Sequence, residues 1–131
     1  MVSSSSSAGR GPRRVLVADD EPTLRLLVRM SILGVVDEVL EAEDGLLAWT
    51  LLREENLTLA ILDVQMPGLT GLELTRLVRA DARLADLPVI LLTSKALRAD
   101  LQAGQDAGAT LYLTKPFSPL ELSAALSQIL K

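Results

Sequence analysis

A doubly wound α/β fold, with a five-stranded parallel sheet and helices on both of its faces, is predicted by three observations. Short apolar runs of strand length alternate five times with longer stretches of helical period. Two of the helical stretches open with a Ser/Thr-x-x-Glu capping box. Hydrophobic residues make up 49% of the 131-residue chain, enough to bury a sheet on both sides but not to build a second domain.

Val15-Leu-Val-Ala18 is a nearly continuous apolar run, as a strand covered on both faces requires. Pro22 suits the first position of a helix, which is predicted to reach about Leu33 and stop at Gly34. Glu38 to Glu41 reads as a weaker strand, Gly45 to Arg53 as a helix, and Leu57 to Leu62 as a central strand that ends in Asp63. After the Pro67-Gly68 turn, Thr70-Gly-Leu-Glu73 starts a helix predicted to turn Leu74, Leu77 and Val78 inward. Pro88 introduces the strand Val89 to Leu92. A helix from about Ala96 to Ala107, stopped by Gly108, leads to the fifth strand, Leu111 to Leu113. Ser118-Pro-Leu-Glu121 then caps a last helix that runs to the chain end. Strand–helix–strand crossovers of this kind are right-handed, which makes the sheet parallel.

The first residues are Ser/Gly-rich with almost nothing to bury, so residues 1–13 are expected to be a flexible tail and 14–131 the folded domain. Several function classes fall away on composition. The net charge is -4, and no Lys/Arg block follows the first fourteen residues, so the footprint of a nucleic-acid binder is missing. With no Cys, disulfides and thiolate metal sites are excluded, and a cytoplasmic setting is expected. No apolar run approaches a membrane span, and the head lacks the apolar middle of a secretion signal. With no His, the chain can receive a phosphoryl group but cannot pass one on through imidazole.

Four of the apolar runs end in polar residues: Asp19-Asp20, Asp63, Thr93-Ser94 and Lys115. In an open α/β sheet the carboxyl edge of the strands is where ligands bind, so these residues are expected to converge. Three carboxylates in one crevice repel each other unless a cation sits among them, and an all-oxygen donor set selects a hard ion such as Mg²⁺. Lys115 adds a point positive charge and Thr93 a hydroxyl donor. This set suits in-line attack on a phosphoryl group by a carboxylate, which needs no general base. Singly, each residue has a plainer reading: Asp19-Asp20 or Thr93-Ser94 as helix caps, Asp63 as a turn residue, Lys115 as a solvated charge. Their shared position at strand ends argues for a site.

Asp19-Asp20-Glu21, Asp63 followed by Met66-Pro67-Gly68, Thr93-Ser94, and Tyr112 through Lys115-Pro116-Phe117 together resemble the signature of response-regulator receiver domains. The resemblance covers about Arg14 to Lys131. It implies the flavodoxin-like (βα)5 receiver fold with strand order 2-1-3-4-5. It further implies that Asp63 is the phosphoacceptor, that Asp20 and Asp63 ligate Mg²⁺ directly, that Gln65 does so through its carbonyl, and that Asp19 does so through water. Thr93 and Lys115 would contact phosphoryl oxygens, Tyr112 would report the switch by its rotamer, and the Lys115-Pro116 bond would be cis. The implied partners are a sensor histidine kinase or histidine phosphotransfer protein upstream, and a protein target at the face of the fourth helix, fifth strand and fifth helix. Neither nucleic acid nor membrane is expected as a direct partner. Gln65 and Lys95 occupy positions that, in this family, look like tuners of phosphoryl lifetime.

Two features depart from the DNA-binding members of that family. Thr110 and Leu111 stand where those members carry acidic residues just before the strand aromatic, and Glu121 is the sole charge of the last helix before Lys131. A monomer or weak dimer is therefore expected, and Leu120, Ala124 and Leu130 either form an apolar strip for another partner or are mostly core and harmless exposure. The helical pattern ends at Leu130, which suits a stand-alone receiver or one cut from a longer chain. Among rival functions, a haloacid-dehalogenase-type phosphohydrolase needs an acid two residues after its nucleophile, where Gln65 follows Asp63; Asp19-Asp20-Glu21 has that spacing, but the chain is short for the larger fold and cap. A flavodoxin-like cofactor binder is disfavoured by the acidic first loop. A phosphorylation-independent interaction module would be favoured only by missing site residues.

Overall fold

The computed structural model describes residues 11–94 and 98–130. Most of the predicted tail, Lys95, and the predicted start of the fourth helix at Ala96 lie outside the described residues. The elements run β1 (Arg14–Ala18), α1 (Pro22–Ile32), β2 (Glu38–Ala42), α2 (Gly45–Glu54), β3 (Leu59–Asp63), α3 (Gly71–Ala80), β4 (Val89–Thr93), α4 (Arg98–Ala107), β5 (Leu111–Thr114) and α5 (Pro119–Ile129). The strands form one parallel sheet in the order β2-β1-β3-β4-β5. The doubly wound fold and its strand order are therefore those expected.

Alternation along the strands divides the core in two. Leu16, Ala18, Ala60, Leu62 and Leu91 pack on one face against Ala48 and Leu52 of α2 and Leu74 and Val78 of α3. Val15, Val17, Leu59, Ile61, Ile90 and Leu92 pack on the other against Val28 and Ile32 of α1 and Leu122 and Leu126 of α5. Burial on both faces explains why β1, β3 and β4 are written as unbroken apolar runs. The edge strand β5 is only half-buried along its length.

Both capping boxes form. Thr70 Oγ1 accepts from the Glu73 N–H while the Glu73 carboxylate accepts from the Thr70 N–H, and Ser118 and Glu121 repeat the arrangement. Gly68 and Gly108 take positive φ, at the loop after β3 and the end of α4 respectively.

Helix α1 ends at Ile32, close to the stop expected at Gly34, and the Ile32 carbonyl accepts from the N–H groups of both Val35 and Val36. Other local expectations are corrected. Leu77 is 36% exposed. Helix α3 buries Gly71, Leu74, Thr75 and Val78, and Leu77 lies roughly 110° around the helix from the centre of that face. Leu130 is buried in the α1/α5 core layer, so the apolar strip on α5 shrinks to exposed Leu120 and Ala124. Arg13, placed at the end of the tail by sequence, donates to the carbonyls of Val35 and Leu130 and so ties the entry to β1 to the end of α5. Helix α1 also carries an outer stripe of Leu26, Met30 and Leu33, each more than half exposed.

Two glycines set how closely α2 and α3 approach the carboxyl edge of the sheet. A Cβ on Gly45 would overlap the Leu69 carbonyl, and one on Gly71 would overlap the carbonyl of Asp63. Gly34 has nothing within 4 Å of such a Cβ. Gly71→Ala is expected to lower stability in urea by about 1–3 kcal/mol, the usual effect of overpacking. Gly34→Ala should cause no loss, and equal effects of the two substitutions would show that the close approach at Gly71 is not what matters.

Candidate functional site

Parallel pairing brings the strand ends together. Asp63 closes β3 and Thr93 closes β4, in registers that pair Asp63 with Leu92 and Thr93 with Thr114. Asp19 and Asp20 follow β1, the neighbour of β3 on its other side. Lys115 follows β5, its N–H donating to the Thr93 carbonyl at 2.6 Å, and the Lys115–Pro116 peptide is cis.

An open cleft of about 530 Å³ lies over these ends, lined by Asp20, Glu21, Asp63, Gln65, Met66, Pro67, Thr93, Ser94 and Lys115. Carboxylate oxygens of Asp19, Asp20 and Asp63 lie within 4.8 Å of one another. Asp19 is fully buried and Asp63 nearly so, whereas Asp20 is exposed. The Lys115 ammonium joins the two buried acids, with Nζ 3.2 Å from Asp19 Oδ2 and 3.4 Å from Asp63 Oδ2. Asp63 Oδ1 accepts from the Gln65 N–H at 3.4 Å, and Asp19 Oδ1 from the Glu21 N–H at 2.9 Å. Six of the seven residues singled out by sequence thus share one place. Tyr112 stands apart: it pairs with Leu91 on the sheet and packs beside α4, where its ring lies against Gly104.

Burial pushes the Asp63 carboxyl up to about 6, and the charge of Asp19 adds to the rise. The Lys115 charge and the Gln65 N–H pull the other way without overcoming it. One ammonium among three carboxylates leaves the cleft short of positive charge. The donors present are all oxygen, and two are held in low-dielectric surroundings. That combination fits a hard divalent cation at the Asp19, Asp20 and Asp63 carboxylates.

Sequence reasoning missed what holds these groups from behind. Arg25 of α1 donates to the Asp19 carbonyl, and Gly71 lets α3 close on the carbonyl of Asp63. An arginine at an ordinary helical position and a glycine inside a capping box carry no local signal of either contact.

Residues 15–127 match the family model described as the response regulator receiver domain. The chain belongs to that family. It is 37% identical over 119 residues to a chemotaxis protein CheY homolog of Campylobacter jejuni, covering 89% of this chain and 92% of that one. The phosphate regulon transcriptional regulatory protein PhoB of Pseudomonas aeruginosa is 35% identical over 91% of this chain, which spans 52% of that longer protein. Among solved structures, the chemotaxis response regulator CheY4 of Vibrio cholerae superposes with a TM-score of 0.84 at 31% identity, covering 91% of this chain and 99% of that one. The response regulator DrrB of Thermotoga maritima gives 0.83 at 28% identity, covering 92% of this chain and 53% of that one. The chain is thus a receiver of two-component signalling, a signalling protein and not a conventional enzyme. No helix among the described residues is long and apolar enough to cross a membrane.

The raised Asp63 pKa has a definite effect on stability. A carboxyl that holds its proton more tightly folded than unfolded lends stability that is complete below about pH 4 and is lost as pH climbs through about 6. Asp63→Asn escapes that loss. The variant is expected to gain on the parent chain as pH rises from 4 to 7, by on the order of 1–2 kcal/mol after allowance for screening at the open cleft. Urea unfolding across this range, without divalent ions, measures the gain; a flat difference would refute the charge imbalance.

Proposed function

We propose that this receiver is a Mg²⁺-dependent phosphoacceptor switch of the cytoplasm, in which Asp63 takes a phosphoryl group from a phosphohistidine on a sensor kinase or histidine phosphotransfer protein. The observation that carries the reading is the sharing of one lysine ammonium by two buried acids from neighbouring strands, beside a third acid within 4.8 Å.

A deprotonated Asp63 oxygen attacks phosphorus in line as the P–N bond to the donor imidazole breaks. That nitrogen keeps the bonding pair and takes up a proton from solvent. Asp63 reaches the required charge state at neutral pH, since its pKa of about 6 lies below it. Lys115, already 3.4 Å from Asp63, neutralises charge on one equatorial oxygen, and the Thr93 hydroxyl donates to another. Asp20, Asp63 and the Gln65 carbonyl, with Asp19 beside them, would hold Mg²⁺, which would supply Lewis-acid neutralisation of phosphoryl charge. The reaction is the protein's own modification, which makes it a switch without turnover of a free substrate.

The adduct adds about two negative charges to a cleft already short of positive ones. Thr93 and Lys115 must then reorganise, and the change reaches the face of α4, β5 and α5, read here as the docking surface for a downstream protein. Thr110, Leu111 and the nearly uncharged α5 argue for a monomer or weak dimer there, and nothing in the charge pattern favours direct nucleic-acid contact.

Intact-mass measurement after incubation with acetyl phosphate and Mg²⁺ tests the chemistry. One phosphate adduct is expected on this chain, and none on Asp63→Asn or after Mg²⁺ is chelated. An adduct that survives Asp63→Asn moves the acceptor elsewhere.

The output route has its own test. A Cβ on Gly104 would lie 2.5 Å from Tyr112 Cδ2, so the ring as seated leaves no room for a methyl there. Tyr112 is the single tyrosine, so a ¹⁹F-labelled chain gives one tyrosine resonance. Beryllofluoride with Mg²⁺ is expected to shift that resonance and the amides between Ser94 and Leu120. In Gly104→Ala the resonance should start at a more solvated position and respond less. An unresponsive segment from Ser94 to Leu120 would sink this route while leaving the phosphorylation chemistry standing.

A further inference from the structure

Arg25 does not line the cleft, yet it grips the backbone that presents two of the cleft's acids. Its Nη1–H donates to the Asp19 carbonyl at 2.7 Å and its Nε–H to Glu41 Oε1 at 3.0 Å, from a side chain only 14% exposed. Glu41, on β2, also takes the Arg29 guanidinium at 2.9 Å. The Asp19–Asp20 peptide is thereby fastened to α1 and, through Glu41, to β2. The Asp19 N–H adds a bond to the Ala42 carbonyl at 3.1 Å.

The two acids depend on this backbone unequally. The Asp19 side chain has anchors of its own in Lys115 and the Glu21 N–H. Among the described residues, the exposed Asp20 carboxylate has neither a hydrogen bond nor an ion pair. Its point of departure is set by the peptide it grows from, and the carbonyl of that peptide is the acceptor for Arg25.

We infer that Arg25 is a positioning residue for the cation site, fixing the Asp19–Asp20 peptide so that the Asp20 carboxylate faces Asp63. The inference rests on the Mg²⁺ reading of the cleft and adds to it a residue outside the ligand set. Charge and position make opposite demands here. A guanidinium near three carboxylates competes with an incoming cation, so by charge alone its removal tightens Mg²⁺ binding. By position its removal loosens binding, because Asp20 must be ordered at the moment the ion arrives. Glu41, shared with Arg29, offsets part of the Arg25 charge, and we take position as the larger effect.

Calorimetric titration with Mg²⁺ of this chain, Arg25→Met and Arg25→Lys decides between them. Arg25→Met keeps the apolar stem and is expected to raise the Mg²⁺ Kd about tenfold. Arg25→Lys keeps the charge but cannot reach both acceptors, and should fall between. The loss should persist at high salt, where a pure charge effect fades. Hydrogen exchange at the Asp20 and Glu21 amides, measured without metal, should quicken in Arg25→Met, a readout that does not depend on the ion. A Kd in Arg25→Met equal to or below that of the parent chain, or unchanged exchange, overturns the role of Arg25 alone. A parent chain that takes up no Mg²⁺ overturns the reading of the cleft, and this inference with it.

Discussion

The arrangement on which the rest depends is the sharing of the Lys115 ammonium between Asp19 and Asp63, at 3.2 and 3.4 Å. Two like charges about 4 Å apart repel by roughly 4 kcal/mol at the effective dielectric of a protein surface. A single ammonium offsets that repulsion for one partner but not for two buried acids with a third close by. The imbalance appears in Asp63, whose carboxyl sits at about 6 in spite of its lysine. A proton or a divalent cation can restore the balance. A phosphoryl group worsens it and so has to draw in whatever donors the cleft can move. On this reading, affinity for metal and responsiveness to phosphate have the same origin, a shortfall of positive charge in a place that water cannot fully screen.

Such an imbalance can be kept only on a stiff frame. β1, β3 and β4 are buried on both faces, and the acids stand at or just beyond their ends, so the repulsion acts against a close-packed core. The helices close in from behind with little freedom. Gly71 brings α3 onto the carbonyl of Asp63, and Gly45 brings α2 onto Leu69 in the loop that follows β3. Arg25 and Glu41 secure the Asp19 turn from the other flank. At the other end of the sheet β5 is an edge strand and only half-buried.

Strand and helix order was legible because burial on both faces forces unbroken apolar runs, and because the capping boxes at Thr70 and Ser118 mark helix starts by local chemistry. The site residues were legible for a related reason: a polar residue ending an apolar strand has few structural uses. What could not be read was set by distant neighbours. Whether Leu77 or Leu130 is covered depends on where other helices lie, which the periodicity of one helix leaves undetermined. Gly34 did mark the end of α1, yet the backbone turned without needing its special freedom. The strand order came from resemblance, since an alternating pattern of strands and helices is compatible with more than one winding. The grip of Arg25 on Asp19 spans a loop and a helical turn, and only coordinates reveal it.

The path outward from the cleft follows from which parts of the α4 region are tied down. Arg79 of α3 holds the far corner: its guanidinium donates to the carbonyls of Leu87 and Gly108 and to Thr110 Oγ1, at 2.6, 2.9 and 3.4 Å. Thr110 in turn accepts from the Val89 N–H, which fastens the end of α4 and the start of β5 to the start of β4. At the near corner Thr93 is a buried hydroxyl residue facing the charge imbalance, and Ser94 beyond it is exposed. On the proposed reading, a pull on Thr93 would reach a helix whose far end is fastened by Arg79 and Thr110. Before that end Gly104 meets the Tyr112 ring, a contact with no spare methyl-sized gap. On the same reading, a small shift of α4 there would change whether the ring fits and so turn a local change of charge into a change of shape on the outer face.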